Sequence, residues 1–226
     1  MNVVLPADGF TIGIIGGTGE QGRGLGRRFA LAGHTVIFGS RDPARAEDAA
    51  ARLVAEHPEE GLVVSGASNA DAAKRCNLAI VAVPYEGHRE TLAPLAADLA
   101  GKIVIDCVNP MAFDATGPTY VDLPDGSAAE EAAAVLPGAR IVSAFHDVSA
   151  RRLLGTNLSV NTDVLICGDD RAANDVVSAM AAQIRGMRGI DVGPLRLSRH
   201  LEALTCVLIS VNKAYKTHSG VRLTGV

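Results

Sequence analysis

Residues 11–45, TIGIIGGTGEQGRGLGRRFALAGHTVIFGSRDPAR, restrict this chain more than any other stretch. A β-rich apolar run ends in Gly17-Thr18-Gly19-Glu20-Gln21-Gly22, a helix-like segment follows, and a second apolar run ends in Ser40-Arg41. Strand, glycine-rich turn, helix and strand in that order give a GxGxxG pattern its mechanism, the binding of a dinucleotide's phosphates. Gly17 permits the tight turn, Gly19 lets the backbone approach a pyrophosphate, and Gly22 allows close packing of helix on strand. Thr18, Glu20 and Gln21 share the helix N-terminus, where unpaired N–H groups and the positive dipole favour an anion.

The end of the second strand bears on which dinucleotide is bound. An NAD-selective site places Asp or Glu about 20 residues beyond the glycines, on the ribose 2′-OH. Here Ser40 stands at that point, followed by Arg41 and, one helical turn on, Arg45. A hydroxyl and two guanidiniums suit a 2′-phosphate, because Arg presents a planar donor fork and its charge-assisted bonds are strong. Asp42 precedes Pro43 and reads as an N-cap with proline at the first helical position, its carboxylate occupied by backbone N–H groups. The competing reading of Arg41 and Arg45 is a solvated helix start. The missing acid and the paired cations favour NADP over NAD.

Apolar strand-like runs recur at 11–17, 35–40, 62–65, 78–83, 102–108, 140–145 and 164–167, alternating with helix-prone segments at 43–56, 91–99, 127–136 and 171–184. This alternation predicts the α/β class, a Rossmann-type doubly wound and mainly parallel sheet. Several runs are apolar throughout, as expected of strands covered on both faces. Residues 112–126, rich in Gly, Pro and Asp, read as a long loop, and 186–193 has turn composition. Residues 198–216 follow as one helix, apolar in its middle and expected to be buried. The expected organisation is a dinucleotide-binding domain over 1–185 and a small helical element over 186–226.

With 226 residues and 48% apolar content, the chain has material for a sizeable core. A net charge of −4 argues against nucleic acid or an anionic membrane as partner. No apolar run reaches the roughly 18 residues of a membrane span, and MNVVLPADGF lacks the features of a signal peptide, so a cytoplasmic location is expected. Cys76, Cys107, Cys167 and Cys206 are widely separated and read as free thiols, with no metal-ligand spacing. His34, His57, His88, His200 and His218 form no HExxH-like pattern, and no GxSxG elbow is present, so no metal site and no hydrolase is expected.

Three turns after later strands are candidates for the reacting end. Val83-Pro84-Tyr85 closes the fourth apolar run, where proline ends strand pairing, although a simple strand-ending turn is the competing reading. Asn109, before Pro110, could hydrogen-bond a ring edge or simply initiate a turn. Phe145-His146-Asp147-Val148-Ser149-Ala150 follows the sixth run. A histidine there sits where an α/β sheet binds substrate and could stabilise charge developing on a ring, or it could be a satisfied structural histidine.

Taken together, GGTGEQGRGLGRRFALAGHTVIFGSR, VAVPYEGH at 81–88, KIVIDCVNP at 102–110, IVSAFHDVSA at 141–150, ICGDD at 166–170 and DVGPLRLSRHLEALT at 191–205 resemble the NADPH-dependent deazaflavin reductases, the F-420:NADP oxidoreductase family. The resemblance covers nearly the whole chain. It implies NADP as cofactor, coenzyme F-420 as substrate, and a homodimer whose C-terminal element helps form the deazaflavin site. It also implies cofactor contacts at Val83, the backbone of Asn109 and Ala150, and a substrate region at Phe145 and His146. The chain departs from some members at Asn109, Asp147 and Ser149, where those carry Val, then Thr, Asn or His, then Pro.

Such an enzyme moves a hydride from nicotinamide C4 to deazaflavin C5, chemistry that the cofactors carry while the protein orients them. No obligatory acid–base residue is therefore expected. With no Trp and 4% aromatics, the stacking surface is expected to be backbone and aliphatic. The rivals are another NADPH reductase, acting on an imine, ketone, flavin or ferric acceptor, and a non-catalytic NADP-binding sensor.

Overall fold

The computed structural model describes residues 5–155 and 159–226. The first half alternates β1 (Thr11–Ile15), α1 (Glu20–Leu31), β2 (Thr35–Ser40), α2 (Pro43–Glu56), β3 (Val64–Ser68), α3 (Asn69–Arg75) and β4 (Leu78–Val81). Then come α4 (His88–Leu92), α5 (Ala96–Leu99), β5 (Ile103–Asp106), β6 (Met111–Phe113), β7 (Pro118–Tyr120), α6 (Ala128–Val135) and β8 (Arg140–Ser143). The chain ends with α7 (Ala150–Leu154), β9 (Thr162–Cys167), α8 (Arg171–Gln183), β10 (Met187–Gly193) and α9 (Ser198–Tyr215).

Among the described residues, eight strands form one sheet in the order β10-β9-β8-β5-β4-β1-β2-β3. The run from β3 to β8 is parallel throughout, with Ile12 facing Val36 on one side and Leu78 on the other. Apolar residues cover both faces, as the unbroken apolar runs demand. Ile12, Ile14, Val36, Phe38, Ile80 and Ile105 pack beneath α1 and α8 in one core layer. Ile15, Ile37, Ala79, Val81 and Val104 pack in the other, beneath α3 to α6. The period of two along each strand sorts neighbouring residues into these layers.

β8 and β9 meet antiparallel at one register pair, Ser143 with Cys167, and β10 then runs parallel to β9. Because that pair ends both strands, the earlier residues of β9 lie beyond the end of β8. They stand level with the turn at 144–149.

Several expectations from sequence need correction. The third strand is displaced from 62–65 to Val64–Ser68, and 186–193 is not a turn but contains β10. The glycines that look like turn formers in β10 serve close packing. A Cβ on Gly189 would lie 2.4 Å from the Cα of Ser178 on α8. Within the expected loop at 112–126, β7 pairs antiparallel with β6 in a short hairpin. The terminal helix is not buried along its apolar middle. Its buried positions are Ser198, Glu202 and Thr205, whereas Val207 is 57% exposed. The helix lays polar residues, rather than its apolar stripe, over the strand ends.

Candidate functional site

The C-terminal ends of the parallel strands open into three adjoining cavities. The first, about 530 Å³, is lined by the turn after β1, the start of α2, Asn69 and the turn after β4. The second, about 330 Å³, shares Ala82, Val83 and Pro84 with the first and adds Gln21, Asn109, His146 and Thr205. The third, about 370 Å³, shares His146, Val148 and Thr205 with the second and extends to His218 and Ser219. They form one groove across the sheet edge, where open α/β sheets bind ligands.

At the end beside β1 and β2, the Gly17 N–H donates to the Gly39 carbonyl at 2.9 Å, locking the turn onto β2. Gly19 is the N-cap of α1 and makes no side-chain cap bond, so the first N–H groups of that helix receive no capping oxygen from it. A Cβ on Gly22 would stand 2.7 Å from Gly17 Cα, which gives physical content to the third glycine of the pattern. Thr18 and Gly19 line the first cavity, and Gln21 lines the second. Glu20, the first residue of α1, lines the third.

Ser40, Arg41 and Arg45 come together on the wall of the first cavity. Asp42 caps α2, its Oδ1 accepting from the N–H groups of Ala44 and Arg45, so its carboxylate is occupied as the Asp-Pro pattern predicts. The Ser40 hydroxyl accepts from the Asp42 N–H at 3.1 Å. Both arginines are exposed, and neither forms a salt bridge among the described residues. Sequence reasoning missed Asn69, whose Oδ1 accepts from the Gly16 N–H at 3.2 Å. No pattern in the chain marks an asparagine that far from the glycines.

Three hydrogen bonds hold the centre. Gln21 Nε2 donates to the Phe145 carbonyl at 3.1 Å, and Asn109 Nδ2 donates to the His146 carbonyl at 3.1 Å. The Thr205 hydroxyl lies within reach of Asn109 Oδ1, at 3.2 Å, and of the His146 carbonyl, at 3.1 Å. The amide of Asn109 is thus engaged in joining the turns after β5 and β8 to α9. Val83 lines both of the first two cavities, and Ala150 lines the third. Phe145 contributes through its backbone alone. Its φ of 65° turns the ring into the core, edge-on to Phe29 at 5.8 Å.

His146 and Asp147 are both more than nine-tenths buried. His146 Nε2 lies 2.7 Å from Ser143 Oγ, while Nδ1 has no hydrogen-bond partner. Burial pushes the imidazole down to about 4, so it is neutral near pH 7. Burial, helped by the nearby Asp163 carboxylate, pushes the Asp147 carboxyl up to about 6, and its Oδ2 also lacks a partner. Adjacent residues at this end of the groove thus each carry a buried polar atom without a partner among the described residues.

Buried ion pairs and hydrogen bonds behind the groove, unread from the sequence, hold these turns. Buried His88 places Nε2 2.7 Å from Asp106 Oδ2 and Nδ1 2.7 Å from Glu131 Oε1. Burial alone would lower its basicity, but the two carboxylates reverse this and raise it to about 9. Asp106 Oδ1 in turn accepts from the Val108 N–H at 3.0 Å, setting the turn that carries Asn109. On α1, the Arg28 Nε donates to the Leu153 carbonyl and Arg27 Nη1 to the Gly155 carbonyl, fixing α7 behind Ala150. Glu202 accepts from the N–H groups of Ala128 and Ala129, and burial pushes its carboxyl up to about 7.

Among the described residues, only His57, Glu59 and Glu60 could together offer three metal-ligating atoms. Glu60 is already paired with Arg27, and none of the three lines the groove. The groove's donor set suits an organic anion at one end and a polar ring at the other. The bare helix N-terminus and unpaired guanidiniums fit the diphosphate and 2′-phosphate of NADP.

Residues 11–110 match the family model described as "NADP oxidoreductase coenzyme F420-dependent". The "F420-dependent NADP reductase" of Methanothermobacter marburgensis is 40% identical over 95% of this chain and 98% of its own length. The protein of the same description from Methanocaldococcus jannaschii is also 40% identical, over 95% of this chain and 98% of its own. A crystal structure from Arthrobacter sp. FB24, assigned to the F-420-dependent NADP reductases, superposes with a TM-score of 0.79 at 27% identity. It covers 96% of this chain and 100% of its own. With that identity running from the phosphate turn to the helix that carries Thr205, the chain belongs to the F-420-dependent NADP reductase family.

Proposed function

We propose that this protein transfers hydride reversibly between NADP(H) and the deazaflavin coenzyme F-420. The observation that carries the reading is the continuity of the groove, whose free guanidiniums lie at one end and whose orphaned polar atoms lie at the other. Ser40, Arg41 and Arg45 hold the 2′-phosphate, while the backbone at Gly17, Thr18, Gly19, Glu20, Gln21 and Gly22 receives the diphosphate. Val83, the backbone of Asn109, and Ala150 border the nicotinamide. His146 faces the deazaflavin, with Phe145 supplying the backbone turn that aims it.

NADPH, when bound, supplies the hydride. The residues orient and desolvate: neutral His146 brings no positive charge into the groove, and the bonds from Gln21, Asn109 and Thr205 keep the turn at 145–146 at fixed height. The segment 186–226 completes the deazaflavin end through Thr205, Asn212, His218 and Ser219, with its first strand built into the sheet of the 1–185 domain. The assembly is a homodimer, which would cover the exposed apolar side chains of Phe113, Val207 and Tyr215. Its place is the cytoplasm, and no helix among the described residues is long and apolar enough to cross a membrane.

The test is to mix purified protein with NADPH and oxidised F-420 and follow loss of the deazaflavin's visible absorbance, with NADH, FMN and no enzyme as controls. Bleaching with NADPH alone supports the reading, and tight NADPH binding without bleaching overturns it. The buried carboxyl of Asp147 favours one second reading, an imine or ketone reductase that needs a proton donor. That reading requires turnover of such a substrate without deazaflavin.

A further inference from the structure

Asp147 stands out among the groove residues because this chain carries a buried carboxyl there that meets only its own backbone N–H and leaves Oδ2 without a partner. The residue is 7% exposed, it lines the third cavity beside His146 and Thr205, and its Oδ2 has no partner. A buried carboxylate left unpaired is costly, whereas a neutral carboxyl offers an O–H donor and a C=O acceptor side by side. Structural carboxylates in this protein look different. Asp163 is bonded by Arg188, Arg222 and the Leu223 N–H, and Asp106 by His88 and the Val108 N–H.

The charged and titratable groups around Asp147 reinforce the neutral form. His146 on its own turn is uncharged near pH 7, Glu20 comes from α1, Arg151 from α7 and His218 from the segment after α9. Asp163 on β9 adds negative charge nearby. Arg151 is exposed and makes no salt bridge with Asp147. Among the described residues, no salt bridge reaches the Asp147 carboxyl.

We propose that the Asp147 carboxyl is a substrate-recognition group that pairs, in its acid form, with the C=O/N–H edge of the deazaflavin's pyrimidinedione ring. This rests on the reading of the groove as a deazaflavin site. A carboxyl and a cyclic imide edge are complementary, each giving one donor and one acceptor, so a single buried side chain satisfies two polar atoms of the ring. The same pairing makes binding depend on pH. With the free carboxyl titrating at about 6, affinity falls by up to about tenfold per pH unit above that point.

The experiment measures binding of oxidised F-420 by fluorescence, without NADPH, from roughly pH 5 to 8, for the wild type and Asp147→Asn. Asparagine keeps a donor and an acceptor but cannot ionise, so the ratio of the two dissociation constants cancels the ligand's own titration. The proposal expects that ratio to rise with pH, up to about tenfold per unit, and a constant ratio overturns it. Should Asp147→Asn fail to fold, as judged by NADPH binding, carbon-13 NMR of the wild-type carboxyl decides instead. The midpoint must move upward when F-420 is added, and an unmoved or lowered midpoint overturns the assignment. If both proteins bind NADPH but neither binds F-420 at any pH, the deazaflavin reading itself falls, and this proposal with it.

Discussion

His88 Nε2 and Asp106 Oδ2 stand 2.7 Å apart with no solvent around either, and the second ring nitrogen of His88 is claimed by Glu131. An imidazolium between two carboxylates is held at about 9, above its ordinary 6.5. A raised folded-state value contributes stability that is fully present below pH 6.5 and lost as pH rises through 9. The thermal midpoint of the wild type is therefore expected to fall between roughly pH 7 and 10, and that of His88→Gln to fall less over the same range. At neutral pH, His88→Ala leaves two buried carboxylates without their shared cation. Urea unfolding should register a loss of about 3 to 5 kcal/mol.

Among the described residues Arg41 and Arg45 form no salt bridge, so removing them should act on ligand binding more than on folding. Arg41→Ala with Arg45→Ala is expected to weaken NADP binding by roughly a hundredfold, about the worth of two charge-assisted hydrogen bonds, and to leave NAD binding nearly unchanged. Calorimetric titration of both nucleotides checks this. Equal losses would show that the pair does not read the phosphate.

Gly22→Ala sets two effects against each other. Alanine gains about 1 kcal/mol of helix propensity over glycine. The new Cβ would meet the Gly17 backbone at 2.7 Å, and backbone in the phosphate turn has nowhere to go. Overpacking of this kind costs about 1 to 3 kcal/mol, so a net loss of stability and of NADPH affinity is expected. A variant that is more stable and binds equally well would refute the close-packing role.

Asp163 works in the opposite direction from His88. Hydrogen bonds from Arg188, Arg222 and the Leu223 N–H hold its carboxyl well below the usual carboxylate range. Its contribution is present above that range and is lost as pH falls toward the depressed folded value. Both guanidiniums are partly exposed, at 36% and 43%, which limits the effect through screening. Asp163→Asn is expected to cost about 1 to 3 kcal/mol near neutral pH. The gap from the wild type should close in strong acid, as read by denaturant unfolding at each pH.

Features governed by local chemistry were readable in the chain. The β1 turn, the Asp42 cap and the Ser40 to Arg45 cluster each depend on residues within a few positions of one another, and each appears where the spacing places it. Features set by packing across the sheet were not. Gly189 and its neighbours look like a turn because sequence does not show α8 pressing on the strand. The apolar centre of α9 looks like core because hydropathy does not register that Glu202 and Thr205 have bonding partners over the strand ends. His88 looked like a stray histidine for the same reason, its two acids lying 18 and 43 residues away. The inward turn of the Phe145 ring goes with a positive φ that no sequence pattern marks.

The two ends of the groove draw on different parts of the chain, which bears on how such a protein can change over generations. Every residue lining the nucleotide-end cavity belongs to the first 91 positions, whereas the far cavity, apart from Glu20, is built from residues 146 onward. Inheritance can therefore revise the far end of the groove through substitutions near the carboxyl terminus while the first cavity stays as it was.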